Sequence, residues 1–329
     1  MESRRVLLIG GSLNQTSMMH KIGRELPARY DCFFTPFFCD GFLRRLKPLG
    51  LLDMTILAGR FRATTDAYLR ENRLPIDEEG AARDYDLVLT CSDLVLPRRI
   101  RERPIVLVQE GMTDPENFAY RLVRTFGLPR WMASTSTTGL SLAYRKFCVA
   151  SEGYRDFFIS KGIPERLLAV TGIPNFDDCA AFRKNNLPMR DYVLVCTSDA
   201  RETFKLDNRR RFLRRCVAIA GGRPLVFKLH PNENWERASA EIRREAPRAL
   251  VFTEANTNDL VANCCALITQ YSSVIYVGLA LGKECHSYFD LEELRRLVPI
   301  QNGGTSAERI AEVCEEILDG GVQAERRIA

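Results

Sequence analysis

Short apolar runs alternate with amphipathic stretches along the whole chain, and this alternation predicts repeated strand–helix units on parallel sheets. The first half reads as strands over 5–9, 32–38, 87–91, 105–109, 147–150 and 168–171, with helices over about 15–26, 42–57, 64–72, 115–126 and 153–161. A stretch of small polar residues at 133–141 reads as a mobile loop. After the polar, Pro-containing segment 184–190 the pattern restarts, with strands over 192–196, 225–228, 249–252, 266–269 and 284–288. Helices fit 208–220, 234–245, 274–281 and 306–318, the last ending at Gly320-Gly321, a residue pair that suits a helix stop. The shift in composition marks a boundary, giving Rossmann-like domains over 1–186 and 187–329. The fold class expected is α/β: two doubly wound domains with parallel sheets and a cleft between them.

Composition narrows the class further. A chain of 329 residues suits two domains, and 46% hydrophobic content is enough to fill both cores. No run approaches the roughly eighteen apolar residues of a membrane span, and Met-Glu-Ser-Arg-Arg leads straight into a strand rather than a signal peptide. A soluble, cytoplasmic protein is expected. The eleven cysteines lie mostly singly inside apolar segments, the one tight pair, Cys264-Cys265, is adjacent, and no C-x-x-C pair occurs. They read as reduced core thiols, and no metal site is expected. The net charge of +5 is too mild to indicate nucleic acid. Two local basic clusters stand out: Arg-Arg-Arg-Phe-Leu-Arg-Arg at 209–215, and 42–52, where Leu interleaves with Arg44, Arg45 and Lys47. Both fit solvated helix faces. The sharper reading is peripheral contact with an anionic membrane surface, at the inner face of the plasma membrane, worth about 1 kcal/mol per basic residue.

The candidate chemistry sits where strands hand over to helices. Lys-Leu-His-Pro at 228–231 ends one strand, and Gln-Tyr-Ser-Ser-Val at 270–274 ends another about forty residues later, one helix–strand–helix unit apart. Open α/β sheets bind ligands at such turns, where backbone N–H groups face an anion. Pro231 keeps His230 out of the helical region, so its imidazole can donate to a phosphate or a sugar hydroxyl. Lys228 lies on the same sheet face by the strand period. Ser272 and Ser273 suit helix capping, and the same hydroxyls could hold a pyrophosphate, neutralising a leaving nucleotide without a metal. Tyr271 could border the base and Gln270 the same cleft. Glu110, followed by Gly111, is the candidate general base; Asp93 ends the neighbouring strand in the same way. Either carboxylate could instead serve as a cap or loop anchor. Gly10-Gly11-Ser12 lacks G-x-G-x-x-G spacing and argues against a dinucleotide cofactor. Gly11 and Ser12, with Asn14, Gln15 and His20 nearby, could instead let a sugar approach the first helix.

Together these segments resemble GT-B glycosyltransferases related to the non-hydrolysing UDP-N-acetylglucosamine 2-epimerases, capsule polysaccharide transferases and CDP-glycerol glycerophosphotransferases. Val108-Gln109-Glu110-Gly111-Met112 is placed like the epimerases' Val-Glu-Ala-Gly-Leu, and Thr171-Gly172-Ile173-Pro174-Asn175 like their Thr-Gly-Asn-Thr turn. The epimerases' Asp-Ser-Gly-Gly is here Gln270-Tyr271-Ser272-Ser273, the ribose-gripping acid downstream is absent, and their His-Arg-Arg-Glu becomes Thr197-Ser198-Asp199-Ala200-Arg201-Glu202. Tyr-Ser-Ser-Val is closer to the capsule and teichoic-acid-type polymerases. In such enzymes the His-Pro histidine and the Ser pair hold the donor phosphates. The resemblance implies that His230, Ser272 and Ser273 hold a nucleotide-activated donor and that Glu110 deprotonates an acceptor hydroxyl. Those polymerases usually have a His-Gly turn where Glu110-Gly111 stands. The function implied is a metal-independent, inverting glycosyltransferase with no cofactor. The first domain would take a glycan or lipid-linked acceptor at Gly11, Ser12, Asn14, Gln15 and His20. The second would take the nucleotide-sugar donor at Lys228, His230 and 270–273. Glu110, Asp93 and His230 form the catalytic set. The alternatives are transfer of a polyol phosphate from a CDP-alcohol and an epimerase-like reaction.

Overall fold

The computed structural model describes residues 3–53, 55–198, 201 and 207–328, with side chains up to 320. The chain divides into two compact units, Met1–Asp177 with Asn302–Ala329, and Asp178–Gln301. Residues 302–329, placed by composition in the second domain, therefore group with the first. The helix Ser306–Ile328 packs on the helix Leu13–Glu25, and Asp177 accepts the Ser306 N–H at 2.8 Å.

The first unit carries a six-stranded parallel sheet built from β1 (Arg4–Gly10), β2 (Tyr30–Pro36), β3 (Leu87–Thr90), β4 (Ile105–Val108), β5 (Lys146–Val149) and β6 (Leu168–Val170), in the order β2-β1-β3-β4-β5-β6. The second has five parallel strands, β7 (Val193–Cys196), β8 (Leu225–Lys228), β9 (Leu250–Phe252), β10 (Ala266–Thr269) and β11 (Glu284–His286), in the order β11-β10-β7-β8-β9. Strands such as Leu87–Thr90 and Val193–Cys196 are buried along their full length. Helices on both faces of a parallel sheet require that continuous apolar run. In each sheet the strand order reverses once, between β1 and β3 and between β7 and β10. In doubly wound sheets, ligands bind at the carboxyl edge beside such a reversal.

Several expectations give way to local chemistry. The helix expected over 42–57 stops early: Gly41–Leu46 is helical, Lys47–Leu49 is a single 3-10 turn, and Gly50 turns left-handed at φ 71°. Pro48 removes a donor and Gly50 ends the turn at no Cβ cost. The C-terminal helix runs through Gly320 and Gly321 to Ile328; glycine inside a helix costs about 1 kcal/mol and does not by itself stop one. The stretch 133–141 is packed rather than open. Ser136–Gly139 are buried, and the buried Lys161 ammonium donates to the Ser136 carbonyl. Burial lowers the pKa of Lys161. Short helices at Thr257–Asn263 and Leu291–Leu297 lie outside the sequence reading.

All eleven cysteines are free thiols, and burial pushes Cys148, Cys196, Cys216 and Cys264 up to about 12. No helix among the described residues is long and apolar enough to cross a membrane.

The basic cluster 209–215 has a structural role. On the helix Arg209–Ala220, Arg210 and Arg214 pair with Glu245 of the helix Trp235–Glu245 at 2.9 and 3.0 Å. Arg201 grips Glu241 with two bonds of 2.9 and 2.8 Å. That fork, together with charge from Arg209 and Arg237, holds the Glu241 carboxyl below its usual 4.5. A carboxyl depressed on folding stabilises above its unfolded pKa, and the contribution disappears as pH falls through the folded value. Arg201→Gln should therefore lower the melting temperature at neutral pH and flatten its fall below about pH 4.5. Melting curves from pH 7 to pH 3 check this, and parallel curves for variant and wild type would refute it.

Candidate functional site

In the first unit, the carboxyl ends of β1 and β4 bring together a polar cluster around Glu110. Ser12 caps the helix Leu13–Glu25, accepting the Gln15 N–H at 3.1 Å, and turns its own hydroxyl to donate to Glu110 Oε1 at 2.9 Å. Asn14 Nδ2 donates to the same oxygen at 3.2 Å, and Gln15 Nε2 donates to Oε2. Asn14 is in turn oriented by Asn175, whose Nδ2 donates to Asn14 Oδ1 at 2.7 Å and to Ser17 Oγ at 3.0 Å. A carboxylate offers about four lone-pair sites. Three donors hold Glu110 rigidly and leave a place on Oε2 of this half-buried side chain. Gly11 makes the arrangement possible: a Cβ there would overlap the Gln15 carboxamide oxygen.

The structure thus joins Ser12, Asn14 and Gln15 to Glu110, with Gly11 as the residue that gives them room. It separates Asp93 and His20 from that role. Asp93 is buried, and its two oxygens accept the N–H groups of Gly139 and Ser141, both at 3.0 Å, so it anchors a loop. His20 lies further along the helix, its Nδ1 3.0 Å from the Tyr68 hydroxyl and its ring edge-on to Phe34 and Tyr68. Its pKa is lowered by burial and by Arg24.

In the second unit, Cys196 pairs with Lys228 on one side and Thr269 on the other, so β8, β7 and β10 end level. The segments that follow, Leu229-His230, Thr197-Ser198 and Gln270–Ser273, leave one sheet edge. β8 and β10, the strands that lead into His230 and the serine pair, are two strand spacings apart, roughly 10 Å. The His230 turn is held by a buried network. Glu233 Oε2 accepts the His230 N–H at 3.0 Å and the Thr197 hydroxyl, and Glu233 Oε1 lies 3.1 Å from Arg209 Nη2. Both side chains of that ion pair are at most 5% exposed. His230 Nδ1 accepts the Asn232 N–H at 3.2 Å, which places the proton of a neutral ring on Nε2 and makes that nitrogen the donor.

The donor candidates divide by accessibility. Gln270 is buried, accepting from Ser198 Oγ and donating to Asp207 Oδ1, both at 2.9 Å, so it ties the loops after β7 and β10 together. Lys228 is also buried, its ammonium donating to the carbonyls of Leu229 and Thr253 at 2.9 Å, and burial lowers its pKa. Tyr271 is 47% exposed and stands edge-on to Tyr288 and Phe289, with centroids 5.4 and 5.1 Å apart. Ser273 precedes the helix Val274–Ala280 with helical dihedrals of its own, φ −63° and ψ −15°, and its side chain makes no capping bond. Ser272 Oγ accepts only a long 3.4 Å bond from the Val274 N–H. Asp199, Ala200 and Glu202, read against the epimerases' His-Arg-Arg-Glu, lie outside the described residues. Sequence reasoning missed Asn175, Arg209 and Glu233. Asn175 stood in the segment read against the epimerases' Thr-Gly-Asn-Thr turn and Arg209 in the basic cluster, without these partners, and Glu233 stands three residues after His230 in a His-Pro-x-Glu turn.

With this geometry in place, comparison with solved structures identifies the fold. Staphylococcus aureus MnaA in complex with UDP superposes with a TM-score of 0.62 at 11% identity, over 96% of this chain and 97% of that one. UDP-GlcNAc 2-epimerase from Neisseria meningitidis bound to UDP-GlcNAc gives 0.57 at 13% identity, over 95% and 100%. The wall teichoic acid polymerase TagF gives 0.54 at 12% identity, over 97% and 90%. The chain has the two-domain GT-B fold with Rossmann-like units. No family model and no curated protein sequence matches it.

Removing one partner of a buried ion pair costs about 3–5 kcal/mol, because the remaining charge stays buried alone. Glu233→Ala should lose stability on that scale in urea denaturation, with Glu233→Gln losing less because it still offers an oxygen to Thr197 and the His230 N–H. Equal, negligible losses would show that the Arg209–Glu233 network does not hold the His230 turn.

Proposed function

We propose that the protein is a glycosyltransferase that moves a sugar from a nucleotide-activated donor to a glycan or lipid-linked acceptor of the cell surface, with inversion and without a metal. The second unit takes the donor. His230 Nε2–H and the hydroxyls of Ser272 and Ser273 hold the diphosphate, and Tyr271, on its Tyr288–Phe289 shelf, borders the nucleoside. In the first unit Glu110 accepts the proton of the acceptor hydroxyl as that oxygen forms the glycosidic bond. The leaving nucleotide diphosphate departs toward the imidazole and serine hydroxyls, which stabilise the charge developing on it.

The observation that carries the reading is the state of the serine pair. Two hydroxyls at the strand-order reversal of a doubly wound sheet are half-buried, and neither makes a strong capping bond. Capping alone does not explain them. Glu110 supports the other half of the reaction, since three donors orient it as a general base must be oriented. Lys228, Gln270, Asp93 and His20 act as supports of the fold rather than as ligand contacts.

In a thermal-shift panel, UDP or CDP conjugates should raise the melting temperature of the wild type. His230→Ala and the double variant Ser272→Ala/Ser273→Ala should lose that rise with the fold intact. Glu110→Gln should keep the rise and lose turnover by about a hundredfold or more, the usual worth of a general base. Wild-type turnover in both cradle variants would refute the donor assignment. A phosphodiester product in place of a glycosidic one would reassign the reaction to polyol-phosphate transfer on the same cradle.

A further inference from the structure

Five large apolar side chains in the first unit, Phe42, Leu49, Leu51, Phe118 and Phe126, are 66–74% exposed. They come from two segments, 41–52 and 117–132. The helix Gly41–Leu46 buries none of its residues fully: Leu43 and Leu46 are half-buried, and Phe42 stands exposed. The segments flank one groove of about 790 Å³, lined by Leu43 from the first, by Val123, Leu128 and Trp131 from the second, and by Leu96 from the loop after β3. Exposed apolar side chains on two segments that line one groove mark an interaction surface.

Charge identifies the occupant. Each segment holds three basic residues (Arg44, Arg45 and Lys47; Arg121, Arg124 and Arg130) and no acidic one, in a chain with 42 acidic residues among 329. Arg44 has one acidic neighbour, Glu79 at 3.4 Å, and is itself 64% exposed. The acidic lining residue of the groove, Asp40, accepts the Arg98 N–H at 2.6 Å. A second copy of the chain is a poor partner, since a two-fold contact would set these cations against themselves. Nucleic acid matches the charge but gives protruding leucines no apolar contact. A bilayer with anionic headgroups satisfies both features: the apolar side chains enter the acyl boundary and the arginines and lysine stay among the phosphates.

We propose that this face of the first unit docks on an anionic membrane surface, with Phe42, Leu49, Leu51, Phe118 and Phe126 inserted and Arg44, Arg45, Lys47, Arg121 and Arg124 at the headgroups; Arg130 is held inside the fold, donating to the Asp93 carbonyl. The docking stands on the face alone and does not require the transferase reading. Leu96 belongs to the loop leaving β3, the strand beside β4, whose end carries Glu110. The docked face therefore lies at the same sheet edge as the proposed base.

Flotation of the full chain with phosphatidylcholine vesicles, with and without phosphatidylglycerol, tests the assignment. The wild type should float only with the anionic vesicles. Arg44→Gln/Arg45→Gln/Lys47→Gln should lower the partition onto them about a hundredfold, and Phe42→Ser/Phe126→Ser should also release the protein. Arg210→Gln/Arg214→Gln in the second unit should leave binding unchanged. Circular dichroism melting confirms that each variant is folded. Failure of the wild type to float, or flotation indifferent to the first-unit substitutions, would overturn the proposal. So would concentration-dependent self-association in light scattering that Phe42→Ser/Phe126→Ser abolishes, which would assign the face to a second copy.

Discussion

A carboxylate removed from water must be met by donors, and this requirement shapes the loops that leave both sheets. Asp93 draws in the backbone of Gly139 and Ser141, Asp177 the N–H of Ser306, and Asp77 the Tyr85 hydroxyl and the Ala82 N–H. Glu233 gathers Arg209, Thr197 and the His230 N–H. Each of these four acids is buried, and each fixes backbone that hydrophobic packing alone would leave loosely placed. Glu110 obeys the same rule with side-chain donors only, and it is half-buried. The difference matters: backbone donors make an acid an anchor, whereas three side-chain donors with one acceptor site left over make it usable.

The sheets were legible because period and burial coincide: a parallel strand covered on both faces is an apolar run bounded by turn residues, and all eleven strands appear near their expected positions. The carboxyl-edge location of the candidate residues was legible for the same reason, since it follows from where each run ends. Partners were not legible. Whether Lys228 faces a ligand or the carbonyls of Leu229 and Thr253 depends on backbone that returns from elsewhere in the fold. Gln270 is equally silent in sequence, its function in the fold being decided by Ser198 and Asp207, each more than sixty residues away. Alternation of residue types carries no information about such long-range pairs. Where the chain itself supplies the signal locally, as Pro48 and Gly50 do in breaking the helix expected over 42–57, closer attention to turn chemistry would have found it.

Arginine illustrates how one residue type takes opposite roles. On the helix Arg209–Ala220, Arg210 and Arg214 stand opposite Glu245, and Arg209 is enclosed with Glu233, so three of the five arginines in this conspicuously basic stretch are paired within the fold. The segments at 41–52 and 117–132 look less basic, yet they hold no acid of their own and present their charge beside exposed leucine and phenylalanine. Local charge density in sequence is thus a poor guide to surface potential; the position of the nearest carboxylate in space decides it.

The two polar clusters also differ in what they leave available, and the difference matches the division of labour proposed. Around Glu110 every donor is committed and a lone pair is left, which suits receiving a proton from a hydroxyl. Around 230 and 272–273 the buried acid and carboxamide are committed, while the two serine hydroxyls make no strong bond, which suits the proposed grip on an anion. A purely structural account explains the committed groups in both places. The first turn already begins at Ser272, whose carbonyl accepts the Ile275 N–H at 3.2 Å, so Ser273 lies within it. The proposed ligand adds a use for two half-buried hydroxyls whose capping bonds are long or absent.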